Sequence, residues 1–153
     1  MLILSTLMLV LAGAGATVLD RAGEPPPPRT VYLMATEEMK FDTAEIKAEA
    51  GERLRIVLRA KGTLPKMVMA HNVIILKMGT DAQAFVNASV NDRNTGFISP
   101  ALRERVLAST PLAGAGETVQ VTFTVPSKPG RYDFLCSFPG HFASGMRGAF
   151  TVR

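Results

Sequence analysis

The run Cys136-Ser137-Phe138-Pro139-Gly140-His141-Phe142-Ala143-Ser144-Gly145-Met146 gathers the chain's single cysteine, one of its two histidines and a methionine. A thiolate, an imidazole and a thioether are soft or borderline donors, and as a set they suit copper better than magnesium or calcium. The second histidine, His71, stands far upstream beside Asn72. Two histidines, one cysteine and a more distant methionine form the donor set of a blue-copper electron-transfer site. Other metal sites ask for other sets. A structural zinc site takes four strong donors in a closed tetrahedron, and only three are present. A thiolate-bridged binuclear copper centre needs a second cysteine, and a catalytic copper centre needs further histidines.

Each residue also has an ordinary reading. A lone buried cysteine behaves as a small hydrophobe, and a lone methionine fills gaps in a core. Cys136 and His141 could act as nucleophile and base, but no third residue is marked to orient the base. Phe138, Pro139 and Phe142 also make that loop apolar. The joint pattern is more specific than its parts.

A loop can aim several donors at one point only if its backbone turns sharply, and Pro139, Gly140 and Gly145 allow that. The elements on either side read as strands. Thr30–Ala35 begins the series, Glu45–Ala48 continues it, and Gly51-Glu52 reads as a turn. Leu54, Ile56 and Leu58 alternate with Arg53, Arg55 and Arg59, the pattern of a half-buried strand with a solvated basic face. Residues 72–77 form a continuous apolar run that suits a strand buried on both faces. Val119, Val121, Phe123 and Val125 alternate with polar residues, Tyr132, Phe134 and Cys136 share a face, and Gly148–Val152 closes the series. Many short strands with turns such as Pro129-Gly130 predict an all-β sandwich. Residues 81–109 break the pattern. Ala82–Phe85 and a Ser99-Pro100 start predict one or two short helices there, with Ala101–Leu107 helical in composition.

The chain has 153 residues, 47% hydrophobic and 20% charged, enough for one domain with a proper core. A net charge of +4 and a pI near 9.6 point to acidic partners or anionic surfaces. No dense Lys/Arg run or aromatic-rich basic face is present, so nucleic acid is not an expected partner. One cysteine excludes an internal disulfide. An unpaired cysteine in an exported chain calls for an explanation, and metal ligation supplies one. Export is expected from Met1–Leu19, which carries no charged side chain and ends its apolar run in Ala14-Gly15-Ala16, like a signal-peptidase site. The same segment nearly reaches the roughly 20 residues that span a bilayer, so it reads as a signal peptide or a membrane anchor. Residues 20–29 form a proline-rich linker, whose four prolines favour a stiff stretch of roughly 12 Å. The main domain is expected over residues 30–153.

At this point the chain resembles the cupredoxins of the azurin and auracyanin group. Leu64-Pro65-Lys66-Met67-Val68-Met69-Ala70-His71-Asn72-Val73 resembles the azurin segment around its first histidine ligand, and Cys136–His141 resembles that family's cysteine loop. The resemblance implies a Greek-key sandwich holding one type 1 copper ion by His71, Cys136 and His141, with Met146 as a weak axial ligand. It also implies that the backbone N–H groups of Asn72 and Phe138 donate to the thiolate, while the Asn72 side chain ties its own loop to Ser137. Four residues separate His141 from Met146, as in auracyanins, where azurins have three. Ala70 replaces the azurin glycine whose carbonyl approaches the copper, and the azurin disulfide has no counterpart.

The function implied is single-electron transfer by Cu(I)/Cu(II) cycling, without enzymatic turnover. The implied partners are redox proteins such as cytochromes or copper reductases and oxidases, met by a monomer in the periplasm or tethered to face it. A copper storage or delivery protein is the alternative, to which Met67, Met69 and Met78 lend some support. An adhesion module that has lost its redox role is another, against which the intact donor set argues. Pro139, Phe142 and Ala143 flank His141 and are expected to form an apolar docking patch around the imidazole edge. Phe142 has a second reading as a residue packed down into the core.

Overall fold

A computed structural model of the protein describes residues 26–153. The expected signal or anchor and the first part of the linker lie outside the described residues. Two sheets face each other. Strands β1 (Arg29–Thr36), β2 (Lys40–Phe41), β4 (Arg53–Ala60) and β7 (Thr118–Thr124) form one sheet, in the order β2-β1-β4-β7. The other runs β3-β9-β8-β5-β6, built from β3 (Glu45–Ala48), β5 (Ile74–Leu76), β6 (Val106–Ser109), β8 (Gly130–Leu135) and β9 (Arg147–Val152). This is the all-β Greek-key sandwich with a helical excursion that the sequence predicts.

Alternation explains the first sheet. Leu54, Ile56 and Leu58 are fully buried, each stabilising the fold by about 2 kcal/mol. Arg53, Arg55 and Arg59 sit opposite Thr124, Thr122 and Thr118 of β7 on the outer face. Val119, Val121 and Phe123 point inward but stay half-buried, because β7 is the edge of its sheet.

The second sheet is covered on both faces around β5 and β8. Ile75, Tyr132 and Phe134 enter the sandwich interior, whereas Ile74, Leu76 and Leu135 enter a smaller cluster with Phe85, Val86, Ile98 and Phe142. That second cover is the excursion predicted at residues 81–109. Its helix α1 (Ala82–Ser89) is capped by Asp81, whose carboxylate accepts the Ala84 N–H at 3.0 Å, a contact worth about 1 kcal/mol. Short 3₁₀ turns follow at Arg93–Thr95 and Pro100–Arg105. The helical reading of Ala101–Leu107 holds only as far as Arg105. Val106–Ser109 is strand, because pairing Ile74 with Ser109 and Ile75 with Ala108 satisfies backbone groups that a longer helix would leave on an open sheet edge. Among the described residues no helix is long and apolar enough to cross a membrane.

Candidate metal centre

The two stretches that carry the donors converge at one end of the sandwich. His71 follows a turn in which the Val68 and Met69 N–H groups donate to the Pro65 carbonyl. A pair of backbone bonds with Ala113, at 2.9 and 2.8 Å, then fixes its main chain. Cys136 directly follows β8, and its N–H donates to the Met146 carbonyl at 3.1 Å. Between them the chain coils tightly: His141 N–H donates to Phe138, Ser144 to Gly140, Gly145 to Phe142 and Met146 to His141. Gly140 and Gly145 adopt φ of 86° and 91°, a region that other residues enter only at a cost.

This arrangement brings His71, Cys136 and His141 together, with one donor atom from each within 4.8 Å of the others. The Cys136 Sγ lies 3.4 Å from His141 Nδ1, and the two imidazole centroids are 4.9 Å apart. Exposure is 1% for His71, 0% for Cys136, 2% for His141 and 0% for Met146. Met146 belongs to the same interior cluster as Cys136 and Phe138.

The electrostatics fit a bound cation. Burial pushes the Cys136 thiol up to about 12, with hydrogen bonds from the Asn72 and Phe138 backbone N–H groups pulling the other way. Burial pushes His141 down to about 4, helped by the nearby His71, and burial also lowers His71. Both imidazoles are therefore neutral and free to donate lone pairs. The His71 Nδ1 is buried without a hydrogen-bond partner, an arrangement that costs free energy unless a metal takes the lone pair. A soft cation bound at the sulfur would take the place of the thiol proton.

The surrounding contacts hold the two donor stretches in register. The Asn72 amide donates to Ser137 Oγ at 3.0 Å and to the Gly96 carbonyl at 2.9 Å, while its Oδ1 accepts the Ser137 N–H at 2.9 Å. Phe138 packs its ring 4.8 Å from the His141 imidazole. Phe97 in turn meets Phe138 edge-on at 5.2 Å. Sequence reasoning missed Gly96, Phe97 and Thr110, whose Oγ1 accepts the Val73 N–H at 3.0 Å. Nothing local marks them, although the Thr95-Gly96 pair after a helical turn is a usable stop signal. It also missed Glu37, whose carboxylate accepts the Thr63 and Leu64 N–H groups at 2.6 and 2.7 Å and so anchors the approach to His71.

The expected docking patch needs correction at Phe142. Its ring is 4% exposed, packed in the smaller cluster, with the Arg147 guanidinium 4.7 Å above it. Burying an aromatic ring removes more apolar surface from water than any local turn preference can offset. Pro139 is half-buried and Ala143 is exposed. The large exposed apolar side chains nearer His71 are Leu64, Met67 and Val68.

The family model for copper-binding proteins of the plastocyanin/azurin family matches residues 30–153. The chain belongs to that family. Copper is accordingly the metal, and His71, Cys136, His141 and Met146 are positioned to form a type 1 site in this plastocyanin/azurin-family protein. It is 36% identical over 129 residues to an azurin of Pseudomonas fluorescens biotype C, covering 80% of this chain and 97% of the relative. It is 41% identical over 128 residues to auracyanin-B of Chloroflexus aurantiacus, covering 82% of this chain but 53% of that longer protein. Among solved structures, auracyanin A of the same bacterium, titled a "blue" copper protein, superposes with a TM-score of 0.72 at 30% identity. That match covers 83% of this chain and all of the other.

Proposed function

We propose that this copper protein carries single electrons between redox proteins and turns over no substrate. The reading rests on one observation: three strong donors of the His-Cys-His set lie within 4.8 Å of one another, almost wholly sealed from water. Copper bound there supplies a Cu(I)/Cu(II) couple. The chain's own residues make the couple usable. Cys136 would offer a soft thiolate, His71 and His141 stay neutral through burial, and Met146 would act as the weak axial donor that the family resemblance implies, its strength tuning the potential. The Asn72 and Phe138 N–H groups withdraw electron density from the sulfur, a further means of tuning. A storage or delivery protein would keep its donors open for exchange. Here Met67 and Met78 are exposed, but the donor set itself is not.

Residues 1–19 act in this reading as a signal or anchor and 20–29 as a linker, leaving 30–153 as a monomeric copper domain in or facing the periplasm. A relative named outer membrane protein H.8, from Neisseria meningitidis serogroup B, is 36% identical over 121 residues and lends support to export. Partners would be cytochromes or copper reductases and oxidases. Electrons would leave by the His141 side, where Pro139 and Ala143, without Phe142, form the apolar contact; a small patch of this kind suits brief encounters.

The test is optical and electrochemical. Copper-loaded protein should be intensely blue from its Cu(II)–thiolate band, and Cys136→Ser should abolish the colour. Met146→Leu should keep the colour and raise the potential, since losing a weak donor disfavours Cu(II). A blue Cys136→Ser variant would overturn the site assignment, and an unchanged potential in Met146→Leu would remove Met146 from the axial position.

A further inference from the structure

Beside the metal centre an open groove is lined by Lys66, Arg93, Thr95, Arg103, Thr110 and Leu112. Lys66 is neutralised by Glu117 at 2.7 Å. Arg93 and Arg103 are both exposed, and among the described residues neither forms an ion pair with a carboxylate. Two guanidinium groups without counter-charges in one concave surface set up a local positive field, and each can grip a carboxylate through two parallel hydrogen bonds. The chain's net charge of +4 adds to the attraction for an acidic surface.

What lies beneath the groove gives the charge a use. The Arg93 guanidinium sits 5.7 Å above the Phe97 ring centroid. Phe97 meets Phe138 edge-on at 5.2 Å, and Phe138 lies 4.8 Å from the His141 imidazole. The groove therefore reaches the donor cluster through two packed rings. Phe97 is held at a φ of 59°, a strained conformation for a bulky residue. The fold maintains it by tying the adjacent Gly96 carbonyl to the Asn72 side chain at 2.9 Å. Strain kept up by the same residue that links the two donor stretches makes the position of this ring part of the site's construction.

We propose that this groove docks the carboxylate-rich face of a partner redox protein, with Arg93 and Arg103 pairing its carboxylates and Phe97 and Phe138 bringing it close to His141. The proposal rests on the electron-carrier reading. It differs from the apolar contact at Pro139 and Ala143 in that its strength depends on salt.

Reduced, copper-loaded full chain is mixed in stopped flow with one of two oxidants of opposite charge: anionic hexacyanoferrate(III) or cationic tris(phenanthroline)cobalt(III). In either case one electron passes to the oxidant's metal and the blue band grows. At low ionic strength Arg93→Gln/Arg103→Gln should slow the anionic reaction by about fivefold while leaving the cationic one unchanged or faster. The control Arg53→Gln/Arg59→Gln removes the same charge from the outer face of β4 and should change either rate by less than about twofold. Hexaglutamate, standing in for an acidic face, should inhibit the anionic reaction of the wild type and not that of the groove variant. In the diamagnetic Cu(I) form it should shift the backbone amide signals of Thr95 and Arg103. Equal slowing by both double variants would reduce the effect to net charge and overturn the groove. So would a hexaglutamate response that is missing, or one that persists unchanged in the groove variant. If the wild type reacts with neither oxidant, the electron-carrier reading itself fails; if it reacts with both regardless of groove charge, only the docking surface fails.

Discussion

The sandwich interior and the smaller cluster under α1 share the metal loop between them but hold it for different ends. Cys136, Phe138 and Met146 face the interior, alongside Leu54, Ile56 and Phe134 from both sheets. Leu135 and Phe142, each one residue from a donor, face the smaller cluster. The interior draws on nearly every strand, so it fixes where the donors stand. The smaller cluster draws on α1, the turn at Pro100–Arg105, Ile98 just before it and strands β5, β6 and β8, and it presses the loop down from outside. A metal site at the rim of a large core thus owes its position to one apolar body and its closure to another.

The sharpest way to break that comparison is to empty each cluster in turn. Phe134→Ala, in the interior, should cost about 5 kcal/mol, and Phe142→Ala about 4 kcal/mol, both read from urea unfolding of the metal-free protein. The two should part on copper retention. Phe142→Ala should release copper to a chelator faster, since it loosens the residue after His141, whereas Phe134→Ala should leave release unchanged while the protein stays folded. Equal release rates would mean that the two clusters do not divide the work.

A second test acts on the interior end through protons. His141 is held at about 4 in the folded protein, chiefly by burial, against 6.5 when exposed, and His71 is lowered in the same direction. Below pH 6.5 the unfolded chain takes up a proton that the folded one refuses. Stability of the metal-free protein is therefore full above pH 6.5 and falls as the pH drops towards 4, by about 3 kcal/mol for His141 alone. Urea midpoints across that range measure it, and a flat profile would show that the imidazole is not buried as described.

The smallest effect belongs to the bridge between the donor stretches. Asn72→Ala should cost about 2 kcal/mol, because the Ser137 N–H and the Gly96 carbonyl lose buried partners. The blue band should survive but broaden as the loop loosens. An unaltered stability would mean that water replaces the amide in full.

Much of this was legible in the chain, for identifiable reasons. Strands with strict alternation, such as β4, declare which face is buried, and the donor types at 71, 136, 141 and 146 limit the metal before any fold is known. The parts that could not be read depend on contacts distant in sequence. Val106–Ser109 has helical neighbours and becomes strand only because β5 offers it an edge. Phe142 in a turn allows both a docking and a core reading, and only α1 placed over it decides for the core. Phe97 carries no local sign that it will be strained against Phe138.

The parallel pairing of β3 with β9 sets an order of events. Glu45 and Thr151, 106 residues apart, meet across it, so the second sheet cannot close until nearly all of the domain is available. Contacts of such long span are made late and slowly in folding. The metal site shares that dependence on distant contacts: Asn72 and Ser137, beside the donors His71 and Cys136, are bonded across 65 residues of chain, so the donor set is complete only once distant strands have met. Copper held by all three strong donors would then report on maturation, marking a chain whose distant parts have already met.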